Sequence, residues 1–520
     1  MDGKQPNHHS PTAKSNFSGG LTPIPTRVWP RKYNLDGECS GEGTSDELLY
    51  EDFEMPAFKV DDAIQKVEFG LFHCVVVTAV FFSRVVYSSH IALAVLIIPT
   101  IRIELSWNRY ECLAMQCAIF CGCLTGAIPL GKMSDKYGRK ATAIFGIIFT
   151  LVCAAGSTFC QRTLVIIPLK FLEGFFIQGV VIFPVYLTEV LATEYRSVSN
   201  TVCQIGLAIG YSSTGLMAYY LLPEFGWRGL TGLVCTIGVM NFIMIVILPS
   251  SPRQLALIGD NVKAYSSLRY IFKLNGGKMQ NGALRDIGRI PRARMGEVRS
   301  VFRDRCASHL SIVIWIGRYL TQFAVIGAQL GGSILLFNPF FTKDTLGSLT
   351  FTMFHPRNGS SSFAHNITEL QVFSLGAAGE LAGSMVIVPM IRCFGVKQNL
   401  FLTTSIYTVV SIYVVTGVLL QQRWLVIACS VVSSAVARAS ANLMVVYTTD
   451  AYPTQFRATA FSVSEMFVSL AVVSGFLLSE LLSANNFILE LCFFSTSSFI
   501  TSMSLAFLPI ETKQRPIEET

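Results

Sequence analysis

Four cations lie inside stretches of this 520-residue chain that are otherwise apolar, Arg84, Lys170, Arg318 and Arg438, among embedded acids that include Glu173, Glu380 and Glu465. A charge in hydrocarbon costs at least about 2.5–3.5 kcal/mol, so each should face water, a partner or a ligand. Lys170 and Glu173 are three residues apart, one helical turn, which favours an internal ion pair. Arg84, Arg318 and Arg438 can each hold a ligand carboxylate or pair with Glu380 or Glu465, and both uses stay open. His90 has the one side-chain type that changes charge near neutral pH, so it is a candidate for proton coupling, with hydrogen-bonded packing as the plainer alternative. The cations gained within the spans favour an organic anion, or a zwitterion held by its carboxylate, as ligand.

A second constellation is Gly131-Lys-Met-Ser-Asp135-Lys-Tyr-Gly138-Arg139-Lys140, a short cationic segment between two long apolar runs. Gly131 removes a side chain where one helix can approach another. Asp135 is a short anion suited to a helix N-terminus or a cation. Arg139 can grip a carboxylate, with Glu189 or Asp135 as its partner. Residues 185–197 align without gaps to 446–458, with the same acid-to-arginine spacing in Glu189–Arg196 and Asp450–Arg457. The chain therefore contains an internal repeat.

Enzymatic chemistry is not indicated. Gly126 to Lys132 imitates a phosphate loop, but Met133 replaces the hydroxyl residue and the segment is apolar helix rather than a strand end. No Ser/His/Asp, Cys/His or metal-ligand spacing appears, so neither a metal nor a cofactor is expected. The net charge of +7 is carried in loops and implies no nucleic acid.

The elements that must position these residues are membrane helices. The chain is 51% hydrophobic and 14% charged, with a mean hydropathy of +0.50. Its apolar runs of about 20 residues suffice to cross a bilayer. Twelve segments can be drawn, among them 163–189, 198–222, 229–248 and 371–391. Placing both termini in the cytoplasm puts 29 Lys and Arg inside, seven outside and four within spans, the bias expected of a correct topology. The expected fold is thus all-α integral membrane: a disordered tail and lead-in at 1–68, a six-helix bundle at 69–249, a basic cytoplasmic loop at 250–308, a second bundle at 309–508 and a tail at 509–520. The stretch 285–305 is rich in arginine and suits anionic lipid. Asn358 and Asn366 head glycosylation sequons in the longest outside loop, 338–370.

The 131–140 pattern, Gly-x-x-x-Asp-x-x-Gly-Arg-Lys, resembles the loop between helices 2 and 3 of the major facilitator superfamily. Val60-Asp61-Asp62-Ala63, Phe225-Gly226-Trp227-Arg228, Tyr452-Pro453-Thr454 with Arg457, and Phe507 to Lys513 are similar to its synaptic vesicle 2-related branch. Ser251-Pro252-Arg253 is shared with the organic cation/anion transporters. The resemblance implies two six-helix halves, a central path lined by helices 1, 4, 7 and 10, and a cytoplasmic gate formed by Gly131, Asp135, Gly138, Arg139, Lys140, Glu189, Arg196, Asp450 and Arg457. It also implies alternating-access transport of a small organic solute by a monomer, with a coupling ion left open. The membrane would be that of the cell or of a synaptic-type vesicle. Two departures support a rival, a non-transporting receptor or regulator: Tyr87 and His90 replace the branch's helix 1 acids, and the second-half loop at 392–397 has lost its Asp and second Arg. A third departure is Ser434, which stands at the branch's helix 10 arginine.

Overall fold

A computed structural model describes residues 57–279, 282–284, 295–297, 305–337, 362–420, 422–482 and 487–506. Asn358, most of the 285–305 stretch, the first 56 residues and the tail after residue 506 lie outside them, as does the side chain of Asn366.

The lead-in is more structured than expected. Ala57–Phe58 (β1) pairs in parallel with Ala283–Leu284 (β2), and Val60–Gln65 forms α1. Val60, Ala63, Ile64 and Val67 recur at helical spacing and are buried in one apolar cluster with Phe72, Tyr186 and Leu268. This burial is why residues 57–68 depart from the disordered tail.

The first half follows. Helix α2 (Leu71–Leu96) turns at Ile97 into α3 (Ile98–Leu105), where a proline in the first turn loses no hydrogen bond. Asn108 and Glu111 cap α4 (Arg109–Tyr137) reciprocally, and α5 (Arg139–Phe159) starts immediately after Gly138. The fourth expected span is broken before Pro184 into α6 (Thr163–Val181) and α7 (Pro184–Val190). The expected segments 198–222 and 229–248 form one run, α8 (Thr193–Ile247), broken only at Gly226 with φ 63°. The expected central loop contains two helices: α9 (Pro252–Ile258), capped by Ser251, and α10 (Asn261–Leu274), capped by Asp260.

The second half comprises α11 (Arg305–Phe337), α12 (Ser362–Cys393), α13 (Val396–Leu419), α14 (Arg423–Ala451), α15 (Arg457–Leu482) and α16 (Phe487–Ala506). Helix α12 starts well before the expected 371, which places the Asn366 sequon in helical backbone. Among the described residues nine helices are long and apolar enough to cross a membrane, α8 counted once.

Within the halves α2 packs on α8, α4 and α5 on α6, and α11, α12 and α13 on α14; α4 on α15 and α8 on α12 join the halves. At α4–α6 the backbones nearly touch. A Cβ on Gly122 would lie 1.9 Å from the Phe171 carbonyl oxygen, and one on Gly174 1.9 Å from that of Ile119. Small residues permit this approach in a medium where apolar helices gain little by simple contact.

Candidate functional site

The gate candidates converge where α4 ends against the start of α15. The first amides of a helix have no helical acceptor. Asp135 supplies one from the opposite half: Oδ1 accepts from the Ala458 amide at 3.2 Å, and Oδ2 accepts from the Thr459 amide at 2.8 Å and its hydroxyl at 2.7 Å. It is an N-cap for α15 provided in trans. Gly131, one helical stretch earlier, permits this contact, because a Cβ there would lie 2.7 Å from the Ser462 side chain.

Arg139 ties the cap to the rest of the gate. Its Nη2 lies 3.0 Å from Asp135 Oδ1 and 2.7 Å from Glu189 Oε1, and donates to the Thr454 carbonyl at 2.9 Å. Glu189 also faces Arg457 Nη1 across the halves at 4.0 Å. Arg457 Nε donates to the Tyr452 carbonyl at 2.7 Å. The repeated acids are thus exchanged between halves. Glu189 reaches Arg457, while Asp450 accepts from Ser197 Oγ at 3.2 Å and is acted on by the charge of neighbouring Arg196. Arg196 Nη2 meets the Leu191 carbonyl at 3.5 Å. Lys140 turns away from this cluster and donates to the Val246 carbonyl at 2.8 Å. Gly138, at φ 115°, makes the bend between α4 and α5 and abuts Gln254.

Sequence reasoning missed several participants. Arg253 Nε lies 2.6 Å from Asp61 Oδ1, and Arg253 Nη1 donates to the Thr188 carbonyl at 3.1 Å, binding α1 and α9 to the residue before Glu189. Gln254 Nε2 donates to the Asp135 carbonyl at 3.0 Å, and Asn200 Nδ2 crosses the halves to Thr449 Oγ1 at 2.8 Å. Asp61 and Arg253 both lie in motifs visible in the sequence, so the signal was present without its meaning. Beyond the far end of α2, Glu104 accepts from Trp227 Nε1 at 2.7 Å and Arg228 Nη1 at 2.5 Å. Partial burial pushes this carboxyl up, but the Arg228 and Trp227 hydrogen bonds outweigh it and hold Glu104 below its ordinary 4.5.

The embedded charges resolve into separate pairings. Glu173 takes Lys170 Nζ at 2.8 Å on one oxygen and His90 Nδ1 at 2.7 Å on the other. Glu380 takes Arg438 Nε at 2.8 Å and Gln329 Nε2 at 2.5 Å, with Arg438 lying over the Tyr211 ring of the first half. Arg318 pairs with Glu465. Arg84 is 2% exposed, and its Nε and Nη2 have no hydrogen-bond partner. Its guanidinium lies 5.9 Å from the centre of the Phe461 ring of the second half. Three acids thus pair with three of the cations; Arg84 forms no ion pair among the described residues, although the charge of Glu465 acts on it. Among the described residues no His, Cys, Asp and Glu cluster could hold a metal ion.

Comparison with known proteins agrees with this architecture. Residues 103–326 match the family described as Sugar (and other) transporter. The protein named "Putative transporter SVOPL" in Mus musculus is 23% identical over 472 residues, covering 90% of this chain and 94% of that protein. Synaptic vesicle 2-related protein of Bos taurus is 23% identical over 470 residues, covering 89% and 83% respectively. The solved proton:xylose symporter XylE, bound to 6-bromo-6-deoxy-D-glucose, superposes with a TM-score of 0.64 at 15% identity, over 86% of this chain and 98% of that one. The chain is a multi-pass membrane protein that shares the fold of the solved symporter, and it is similar in sequence to transporters, among them those of the synaptic vesicle 2-related branch.

Proposed function

We propose that this transporter carries a small organic anion, or a zwitterion gripped by its carboxylate, by alternating access between two six-helix halves. Counting α8 as two spans and adding α12 and α16 to the remaining helices gives twelve, an even number that puts both termini on one side. The excess of Lys and Arg in the loops of that side supports reading it, with the Asp135 gate, as cytoplasmic. The observation that carries the substrate class is Arg84, a buried guanidinium whose neighbouring cations have acids of their own. Buried guanidinium nitrogens without acceptors are costly, and a carboxylate ligand removes that cost while gaining charge-assisted hydrogen bonds. The His90–Glu173–Lys170 triad is the place for a coupling proton, because Nδ1 is committed to Glu173 and the buried Nε2 has no partner.

The test is a binding and uptake panel of organic anions, zwitterions and cations with the reconstituted protein. Anions or zwitterions should bind, and Arg84→Gln should weaken them about ten- to hundredfold. Binding confined to cations would overturn the substrate class. The rival reading, a receptor or regulator without transport, draws on the reduced 392–397 loop. It requires ligand-independent partner binding and no uptake in the same panel.

A further inference from the structure

We propose that Gln178 is a second ligand anchor beside Arg84 and selects carboxylates that carry a further hydroxyl, amino or amide group. The inference rests on reading Arg84 as the carboxylate anchor, and it adds what the rest of the ligand must present.

Gln178 lies on α6 and is 0% exposed, yet neither its Oε1 nor its Nε2 has a hydrogen-bond partner among the described residues. A side-chain amide offers two donors and an acceptor oxygen, and leaving them unmet in an apolar medium is costly. The buried Gln204 and Gln254, by contrast, each donate to a protein oxygen. The surroundings of Gln178 supply little. Ile177 and Val181 on its own helix are buried and apolar. On α4, Gly174 meets Ile119, and one turn further along both helices Gln178 meets the Cys123 thiol, a weak hydrogen-bonding group.

Helix register sets Gln178 level with Arg84. The contact of His90 with Glu173 fixes α2 against α6. In the twelve-span topology these are the first and fourth spans and run in opposite directions. Arg84 is six residues before His90, about 9 Å along α2, and Gln178 is five residues after Glu173, about 7.5 Å along α6. The two therefore share one depth to within about 2 Å. Tyr87 links them, since it lies within electrostatic reach of both Arg84 and Cys123.

The two anchors differ in chemistry. A guanidinium only donates and takes the carboxylate, whereas the amide both donates and accepts. A ligand hydroxyl or amide can answer both amide atoms, and an amine can answer Oε1. A plain aliphatic carboxylate answers neither, and a site whose buried polar groups stay unpaired rejects such an analogue.

The test measures binding to the full chain in nanodiscs with matched pairs of radiolabelled carboxylates: lactate against propionate, and 4-hydroxybutyrate against butyrate. The hydroxylated member of at least one pair should bind about tenfold tighter or more. Gln178→Met, which keeps the volume and removes the amide, should bring that ratio close to one while leaving the plain member within about threefold of the parent. Arg84→Gln should weaken both members. If Arg84→Gln weakens both but Gln178→Met leaves the ratio as it was, only the Gln178 inference fails. If Arg84→Gln changes neither member, or no member binds, the anchor reading fails and this inference falls with it. Size-exclusion profiles identify misfolded variants, and Gln178→Leu carries the test if the methionine variant does not fold.

Discussion

Asp135→Asn should shift the gate toward opening by a calculable amount. In this structure two carboxylate oxygens meet four donors: the Ala458 and Thr459 amides, the Thr459 hydroxyl and Arg139 Nη2. Asparagine keeps one acceptor and turns the other into an NH2 group, which faces donors in either orientation. The loss includes a negative charge at the N-terminus of α15, worth about 0.3–2 kcal/mol. It also includes at least one hydrogen bond involving a charged group, worth about 1.5–3 kcal/mol. These overlap, and about 2–3 kcal/mol is a reasonable total, a shift of about 30- to 150-fold between closed and open populations. The open state, with Asp135 solvated, loses little. Spin labels on Lys136→Cys in α4 and on the exposed native Cys393 in α12, with Cys74→Ser, would report the separation of the halves by pulsed electron resonance. A new longer-distance population is expected, with folding and membrane insertion retained. A distance distribution indistinguishable from that of the parent would refute the trans cap as the element that holds the halves together.

Two further outcomes follow from the pairings. Arg438→Met should leave Glu380 charged and buried, a loss of about 3–5 kcal/mol, and adding Glu380→Leu should recover much of it; thermal unfolding in detergent checks this, and equal instability of single and double variants would contradict it. The Glu104 clasp should depend on pH in one direction. Its folded pKa lies below the ordinary 4.5, so the stabilisation is complete above that value and is lost as pH falls through the lower folded one. Trp227 emission should change only in that acid range, and Glu104→Gln should abolish the change; a transition near neutral pH would count against it.

Local spacing was legible in the sequence where partners sit one turn apart. Lys170 with Glu173 and Asp135 with Arg139 are three and four residues apart and pair as helical geometry dictates. The lead-in was also readable, since Val60, Ala63, Ile64 and Val67 follow helical periodicity, yet the polarity of the residues before them concealed it. Helices α9 and α10 carried Ser251, Asp260 and Gly259 as caps inside what reads by charge as a loop. Charge composition describes solvent and topology, whereas capping residues describe backbone geometry, and the two signals disagreed there.

The sequence by itself determined that this chain is an apolar, helical, internally repeated membrane protein, that its spans carry four cations among embedded acids, and that Glu189 and Arg457 belong to repeated segments. Tertiary structure decided who meets whom. Arg318 finds Glu465 147 residues away, Asp135 caps a helix 324 residues away, and Arg84 is left with two nitrogens that have no hydrogen-bond partner. The physical reason is that hydropathy fixes which residues enter the bilayer but not the rotation of each helix about its axis, and that rotation selects the partners of every buried charge.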